Sequence, residues 1–511
     1  MFKILEIQFY NHQVLKDITV KLVGDNEEDS KNYLSLIIGP NGTGKTQILQ
    51  AIVEIFNSLA ELKNNPKKKF TFEFQFSITY LLNQSTTTVV YRDNKLAVND
   101  TLNYDIEKIP IPKRVLISAF SFNDKFPLRE SRGKTVNPGY YYLGLKSTTN
   151  NVFINNPSKD TIDNLCHAIN SNKDINNLSE GFKILGLKPE IKVIYRRGRN
   201  FTFLLENDFF ENKNITFESF GKLFNDYLKM KKRKSKRTSE EILKRYASEK
   251  YRLTLNSKER ILDTVGYLNK NIRNLTDAGK VYLNYVPKLN FLDESTFGDF
   301  KDHIIPFQTL RDLEVIGYYG FEVNKNETSY SFDNASSGEY HIISTLVNIN
   351  AFIEQGSVVL LDEPEISLHP NWQMQVIRAF SRVFRQYESC HFIICSHSHF
   401  IVSDLNIESS HITSLNYNPI ENKIQATPIN KDTMGWSPEA ILYHVFGVVN
   451  VRNRYFENDL RTALNILSNK AGKAQLKPIY DRLLRFKLPE ADPLKIVIDD
   501  IQNYLNETPV N

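Results

Sequence analysis

Eight residues, GPNGTGKT at positions 39–46, constrain the chain more than any other stretch. They follow YLSLIIG, a short apolar run that reads as a strand, and precede TQILQAIVEIFNSLAELK, whose apolar residues recur at helical spacing. Strand, glycine-rich turn and helix, in that order, is the setting in which G-x-x-x-x-G-K-T holds phosphate. The glycines let backbone N–H groups wrap a β-phosphate at the helix N-terminus, so Asn41, Gly42, Thr43, Gly44, Lys45, Thr46 and Gln47 are the candidate ATP-binding residues. Lys45 neutralises the β- and γ-phosphates in this reading, and the Thr46 hydroxyl binds Mg²⁺. The expected fold class is α/β.

A second stretch supplies acids. SVVLLDEPE, residues 357–365, is a small apolar strand that ends in adjacent carboxylates. Two acids at the end of a buried strand are costly unless a cation or a proton transfer needs them. Asp362 is placed to hold Mg²⁺, directly or through water, and Glu363 to orient and polarise an attacking water. Pro364 ends the strand.

Two more features complete the pattern. SFDNASSGEYHIISTLVNI, residues 331–349, puts a Ser-Ser-Gly-Glu turn at the start of a helix, and Asp362 follows Gly338 by 24 residues. Ser336, Ser337 and Gly338 make a second anion cradle there, and nothing in the same polypeptide is an obvious ligand for it. HFIICSHSHF, residues 391–400, is another apolar strand, with His397 at its end 35 residues beyond Asp362. His399 beside it is read as incidental. EISLHP, residues 365–370, is a polar turn between the two strands.

Phosphate loop, Ser-Gly helix start, acid-ended strand and histidine-ended strand, in this order, resemble the ABC ATPase superfamily over about half the chain. The resemblance implies an ATP-hydrolysing head assembled from both ends of the chain, which pairs head to tail with a second copy around two ATPs. Carried onto matching positions, it implies that Ser336, Ser337 and Gly338 bind the γ-phosphate of the opposite head's ATP. It implies that His397 senses the γ-phosphate beside Lys45 and Glu363, the other two catalytic residues. Ser367, Leu368 and His369 would form the turn that crosses between heads. The chain departs from the family in three places. The signature reads ASSGE where transporters have Leu-Ser-Gly-Gly-Gln. No glutamine follows RVLISAFSF, leaving Ser121, Asn123 or Asp124 as its replacement. No aromatic loop for adenine is evident, with Tyr10, Asn11 and His12 as candidates.

The 293 residues between Lys45 and Gly338, the opening KILEIQFYNHQVLKD, the SSGE form and DEPEISLHP are similar to the RecF/SMC/OLD-like group of soluble ABC ATPases. SAFSFNDKFP and GWSPEAILYHVFGVVNVRNRY resemble the Septu-type ATPases of antiphage systems, also found with retrons, which work beside an HNH nuclease. That resemblance implies a task of gating a partner nuclease or toxin. The alternatives are a DNA-repair or chromosome-associated ATPase that binds DNA directly, and a degenerate head that holds ATP as a structural element. OLD nucleases add a Toprim domain, whose metal site needs a glutamate and an Asp-x-Asp pair. Here only IVIDD, with Asp499 and Asp500, comes near, and these read as surface acids, so the chain is expected to have no nuclease site of its own.

Four regions are expected: residues 1–125 and 311–430 as the two halves of the head, 126–310 as a mainly helical insert, and 431–511 as a small helical tail. Residues 239–275 form a long polar helix candidate without a sustained heptad. The run Lys229–Arg237 has seven basic residues in nine. It is either a solvated loop or a contact to the DNA or RNA backbone. A net charge of +5 in 511 residues does not by itself announce such a partner. No apolar run approaches the roughly 18–20 residues that span a bilayer, so no membrane partner is expected. Three cysteines without metal-like spacing suit a reducing, cytoplasmic setting.

Overall fold

The computed structural model describes residues 1–24, 32–66, 72–102, 104–121, 124–128, 137–144, 157–204, 216–234, 257–275, 287–405, 409–418, 421–429, 433, 435–446, 454–468, 473–486, 488, 492 and 494–506. A seven-stranded sheet organises them, in the order Lys423–Ile429, Ser410–Asn418, Tyr33–Ile38, His391–Ser396, Val358–Asp362, Val115–Ala119 and Tyr140–Tyr142. Six of these strands are parallel, and only the edge strand Lys423–Ile429 runs against its neighbour. Strands Tyr33–Ile38, Val115–Ala119, Val358–Asp362 and His391–Ser396 are buried at every residue. Burial on both faces explains why they read as unbroken apolar runs rather than alternating ones.

The register decides where the chemistry falls. Ile38 pairs with Ser396, and Asp362 pairs with Cys395 on one side and Ala119 on the other. The carboxyl ends of four strands, two from each end of the chain, are therefore level. Loop 39–46, Glu363 and His397 all leave the sheet at that edge.

The helix Lys45–Asn64 packs between this sheet and an antiparallel one ordered Lys16–Lys21, Phe2–His12, Gln75–Leu82, Ser85–Arg92 and Lys95–Val98. Its Phe56 meets Phe2 and Tyr80 edge-on, with ring centroids 5.6 and 5.4 Å away. Ile48, Leu49, Ile52 and Val53 join the same core as Ile37, Val358, Leu360 and Ile393. The hairpin turns Asn83–Gln84 and Asp93–Asn94 have positive φ at both residues, the backbone that two-residue turns need to match strand twist.

Helices Pro157–Asn170, Leu178–Ile184, Phe217–Lys234, Lys258–Leu275 and Ser295–Asp312 make up the described helical part of the middle region. Arg311 holds Asp163 through two hydrogen bonds of 2.6 and 3.0 Å, tying the last of these helices to the first. The sequence reading missed a second antiparallel sheet here, ordered Lys288–Asn290, Leu187–Arg197, Ile316–Lys325 and Thr328–Ser331. Of the helix candidate at 239–275, residues 257–275 are described, as the helix Lys258–Leu275 and the residue before it; 239–256 lie outside the described residues.

Two compact units divide the chain, Met1–Trp436 and Ser437–Asn511. In the second, helices Arg454–Ser468, Lys473–Leu483 and Leu494–Asn506 surround a core of Phe456, Ala463, Leu476, Tyr480, Leu483 and Ile501. IVIDD lies on the last of these helices, with Asp499 and Asp500 exposed. Among the described residues, no helix is long and apolar enough to cross a membrane. The three cysteines are free and buried.

Candidate nucleotide-binding site

Two glycines shape the phosphate loop. Gly42 and Gly44 both sit at φ 82°, a left-handed backbone that glycine adopts without a Cβ clash. Gly44 also caps the helix Lys45–Asn64 without a side-chain hydrogen bond, so the first helical N–H groups face the loop and not a capping side chain. A Cβ on Gly44 would stand 2.4 Å from Leu15 Cδ2, and one on Gly39 would stand 2.3 Å from the Leu415 carbonyl oxygen. Thr43 Oγ1 donates to the Pro40 carbonyl at 2.9 Å and tightens the turn. The buried amide oxygen of Gln47, in the first turn of the helix, has no hydrogen-bond partner among the described residues.

Lys45 is 5% exposed, and its ammonium donates to the carbonyls of Gly39 and Pro40 at 2.8 and 3.1 Å. Burial lowers its pKa, against the pull of Glu363 and Asp362. One residue on, Thr46 Oγ1 lies 3.1 and 3.0 Å from the two Asp362 carboxylate oxygens. Burial pushes Asp362 up to about 7, with the neighbouring Glu363 adding to the rise and the Thr46 bond opposing it. A hydroxyl and a costly buried carboxylate side by side are hard oxygen donors, and they fit a divalent cation such as Mg²⁺. An open helix N-terminus beside a buried ammonium fits a polyphosphate.

Immediately after the strand, Glu363 turns into the left-handed region at φ 53° while its N–H still bonds the Cys395 carbonyl at 2.9 Å. That turn aims its carboxylate at His397, whose Nε2 is 2.8 Å from Glu363 Oε1. The other ring nitrogen, Nδ1, is 3.0 Å from Lys45 Nζ. An ammonium can only donate, so Nδ1 accepts and the ring proton sits on Nε2, facing Glu363. The bond to His397 is the main reason the Glu363 pKa falls. Lys45, Thr46, Asp362, Glu363 and His397 therefore form one connected cluster, reached by three widely separated parts of the sequence.

Glu365 belongs to the same cluster and was not singled out from the sequence. Its Oε1 accepts from Ser396 Oγ at 2.7 Å and from the His397 N–H at 2.8 Å. Burial raises its pKa. The signal available was the third acid of DEPE, which in sequence cannot be told from a solvated turn residue.

Other candidates fall elsewhere. Ser336 caps the helix Ser337–Phe352 in a capping box: its Oγ accepts from the Glu339 N–H, and its own N–H donates to Glu339 Oε2 at 3.0 Å. Lys325 holds the other Glu339 oxygen at 2.6 Å. Ser336 and Ser337 are exposed, whereas Gly338 is buried where a Cβ would meet Ser367, Trp372 and Leu368. The hydrogen bonds of Ser336 thus go to Glu339 and not to residues 39–46. Leu368 is buried, Ser367 has φ 65°, and His369 caps the helix Pro370–Val383. Asp124 is buried, accepting from the Phe126 N–H at 3.1 Å and from the Tyr142 hydroxyl at 2.8 Å; Ser121 is half-buried and Asn123 lies outside the described residues. The Arg92 guanidinium covers the Tyr10 ring at 3.5 Å. His12 Nδ1 accepts from the N–H groups of Val14 and Leu15, shaping the turn that touches Gly44. Asn11, between them, has φ 49° and donates its N–H to Asp17. Of the run Lys229–Arg237, Lys229 is exposed and pairs with Asp226 at 3.0 Å. The side chains of 230–234 and all of 235–237 lie outside the described residues.

No curated protein matches the chain. Among solved structures, it is similar to the Smc head domain of Pyrococcus furiosus, crystallised with an extended coiled coil and bound to the C-terminal domain of ScpA. The identity there is 13%, over 84% of this chain and 96% of that one, with a TM-score of 0.34. The SMC head domain of Thermotoga maritima is 10% identical over 84% of this chain and 99% of that one, with a TM-score of 0.32. Overlaps this loose transfer no residue's role. A family gives firmer ground: the model of the AAA ATPase domain matches residues 2–402, a span that holds the whole cluster around Lys45 and Asp362. The chain belongs to that AAA ATPase family, and it is an ATPase.

Proposed function

We propose that two copies of this chain close head to tail over ATP, hydrolyse it with the cluster around Lys45, and use the cycle to gate a separate nuclease or toxin in antiphage defence. The observation that carries the catalytic part is the His397 bridge, one ring touching both the phosphate-facing Lys45 and the carboxylate of Glu363. Residues 41–47 bind the triphosphate through the open helix N-terminus, and Lys45 swings from its carbonyl partners onto the β- and γ-phosphates. Thr46 and Asp362 would hold Mg²⁺, which would supply positive charge to the phosphoryl oxygens when bound. Glu363 takes a proton from the attacking water as the new P–O bond forms and the bond to the β-phosphate oxygen breaks, releasing ADP and phosphate. His397 donates from Nε2 and holds Glu363 in line. The helix start at Ser336, Ser337 and Gly338, exposed at its two serines, completes the site of the second copy.

The defence task is supported by the strings SAFSFNDKFP and GWSPEAILYHVFGVVNVRNRY, which resemble Septu-type ATPases. A second reading, a DNA-repair or chromosome-associated ATPase that grips DNA directly, is favoured by the basic run Lys229–Arg237.

The test incubates the purified chain with plasmid, single-stranded DNA and tRNA, with ATP and Mg²⁺ or Mn²⁺, with and without the product of the neighbouring gene. The chain alone should hydrolyse ATP and leave all three intact, with cutting appearing only when the neighbour is added. Cutting by the chain alone that vanishes on replacing Asp499 and Asp500 would overturn the partner reading. ATP-dependent DNA binding without any toxic partner would favour the second.

A further inference from the structure

The phosphate site and the helix that starts at Ser336–Gly338 are joined inside one copy by hydrogen bonds and close packing that run through the turn Glu365–His369. The connection begins at Glu365, which holds Ser396 Oγ and the His397 N–H. Ser396 Oγ accepts from the Ser398 N–H at 2.9 Å. The Ser398 hydroxyl donates to Gln373 Oε1 at 2.5 Å, and Gln373 Nε2 donates to the Leu368 carbonyl at 3.0 Å. The turn so gripped, Glu365–His369, then touches the helix start twice. His341 Nδ1 donates to the Ile366 carbonyl at 3.2 Å, and Gly338 packs so tightly on Ser367 and Leu368 that a Cβ would come within 3.0 Å of the Ser367 carbonyl oxygen. Ser398 is buried, so water is no easy substitute for its bond to Gln373, which is itself half-buried.

None of these groups touches a reacting atom, and the backbone they hold includes a strained position, Ser367 at φ 65°. A non-glycine residue stays left-handed only when its surroundings over-determine it. The Gln373 amide bridges Ser398 to the Leu368 carbonyl, adding a second tie between the histidine strand's end and the turn to the one that Glu365 makes from within it.

We propose that Gln373 and Ser398 are positioning residues that lock the end of the histidine strand to the Glu365–His369 turn. Through that turn, the state of the phosphate site sets the position of the helix start offered to the second copy. The proposal rests on the reading that this helix start completes the site of a second copy.

Gln373→Glu separates the two halves of the lock. It keeps an acceptor for Ser398 and replaces the donor to Leu368 with an oxygen. Ser398→Ala removes the upper bond together with the acceptor of the Phe400 N–H, and Ser398→Thr keeps the hydroxyl for both. The measurements are kcat, the affinity of the monomer for a fluorescent ATP analogue, the melting temperature, and ATP-dependent pairing in a Glu363→Gln background. Gln373→Glu and Ser398→Ala should lower kcat about tenfold, the loss expected for one such bond near the reaction. Both should weaken pairing in proportion while analogue affinity and melting temperature hold, and Ser398→Thr should recover most of kcat. Equal loss of analogue affinity and melting temperature would mean a structural role only and would overturn the proposal, as would unchanged kcat and pairing. If Glu363→Gln alone does not pair with ATP, the failure lies in the two-copy reading instead.

Discussion

At Glu363 and Ser367 the backbone is left-handed, with φ of 53° and 65°. Such positions cost on the order of 1 kcal/mol each in a non-glycine residue, and here each aims a group: a carboxylate at His397, a carbonyl at Gly338. The glycines of the phosphate loop differ among themselves in a way that can be measured. Gly42 and Gly44 share φ 82°, but a Cβ on Gly42 meets nothing within 4 Å whereas one on Gly44 runs into Leu15. Gly42→Ala should therefore cost only the left-handed strain, roughly 1 kcal/mol. Gly44→Ala should cost more and cut ATP affinity at least tenfold further, because the fully buried Leu15 side chain must shift to admit the Cβ. Equal affinities in the two variants, measured by calorimetry, would show that Leu15 does not set the loop's shape. Lys45, Thr46, Asp362, Glu363 and His397 were legible in the sequence because each stands at the end of a strand or the start of a helix whose apolar run is plain. Glu365 was not, since its place depends on Ser396, which is 31 residues further along the chain. The commitment of Ser336 to Glu339 is written locally, as S-x-x-E, yet the cradle reading passed over it.

At the scale of elements, the parallel strands that end at the site were readable, whereas Tyr140–Tyr142 and the antiparallel strands of the middle region were not. Strands buried on both faces leave long apolar words such as SVVLLD and HFIIC, whereas Leu187–Arg197 buries Ile191, Val193 and Tyr195 on one face and spaces them with lysine, isoleucine and arginine. Its polar half hid it among helical polar sequence. Where three strands meet behind the site, His391 links them: its Nδ1 accepts from the Ile4 N–H at 3.0 Å and its Nε2 is 2.6 Å from Ser35 Oγ. Burial, with Lys3 as the lesser cause, pulls the ring down to about 3. In the unfolded chain a histidine titrates near ~6.5. Below that value the unfolded state binds a proton that the folded state refuses. This contribution to stability is thus complete above ~6.5 and is lost as pH falls toward about 3, at up to ~1.4 kcal/mol per pH unit. His303, drawn down to about 4 by burial, acts with the same sign. Urea unfolding between pH 7 and pH 5 should show a weaker pH dependence in His391→Asn than in the wild type. Matching slopes would mean that His391 is not held neutral.

For the whole molecule, the unit Met1–Trp436 carries the ATPase and Ser437–Asn511 forms its own helical core. Residues 229–234 of the basic run lie at the end of the helix Phe217–Lys234. If the run grips a nucleic-acid backbone, replacing Lys231, Lys232, Arg233 and Lys234 with alanine should flatten the fall of affinity with salt, by a slope of roughly 0.7–0.9 per lost phosphate contact. An unchanged slope would leave the run as a solvated face. The two-copy site itself is tested most directly by the mass of the Glu363→Gln protein with and without ATP, measured by analytical ultracentrifugation. The substitution removes the base that activates water and keeps Asp362 and Thr46, so ATP should bind, persist unhydrolysed and convert single copies into pairs with one ATP per copy. Adding Ser337→Arg should abolish the pairing while each copy still binds ATP. Glu363→Gln protein that hydrolyses ATP at the wild-type rate, or that binds ATP and stays single, would contradict the account.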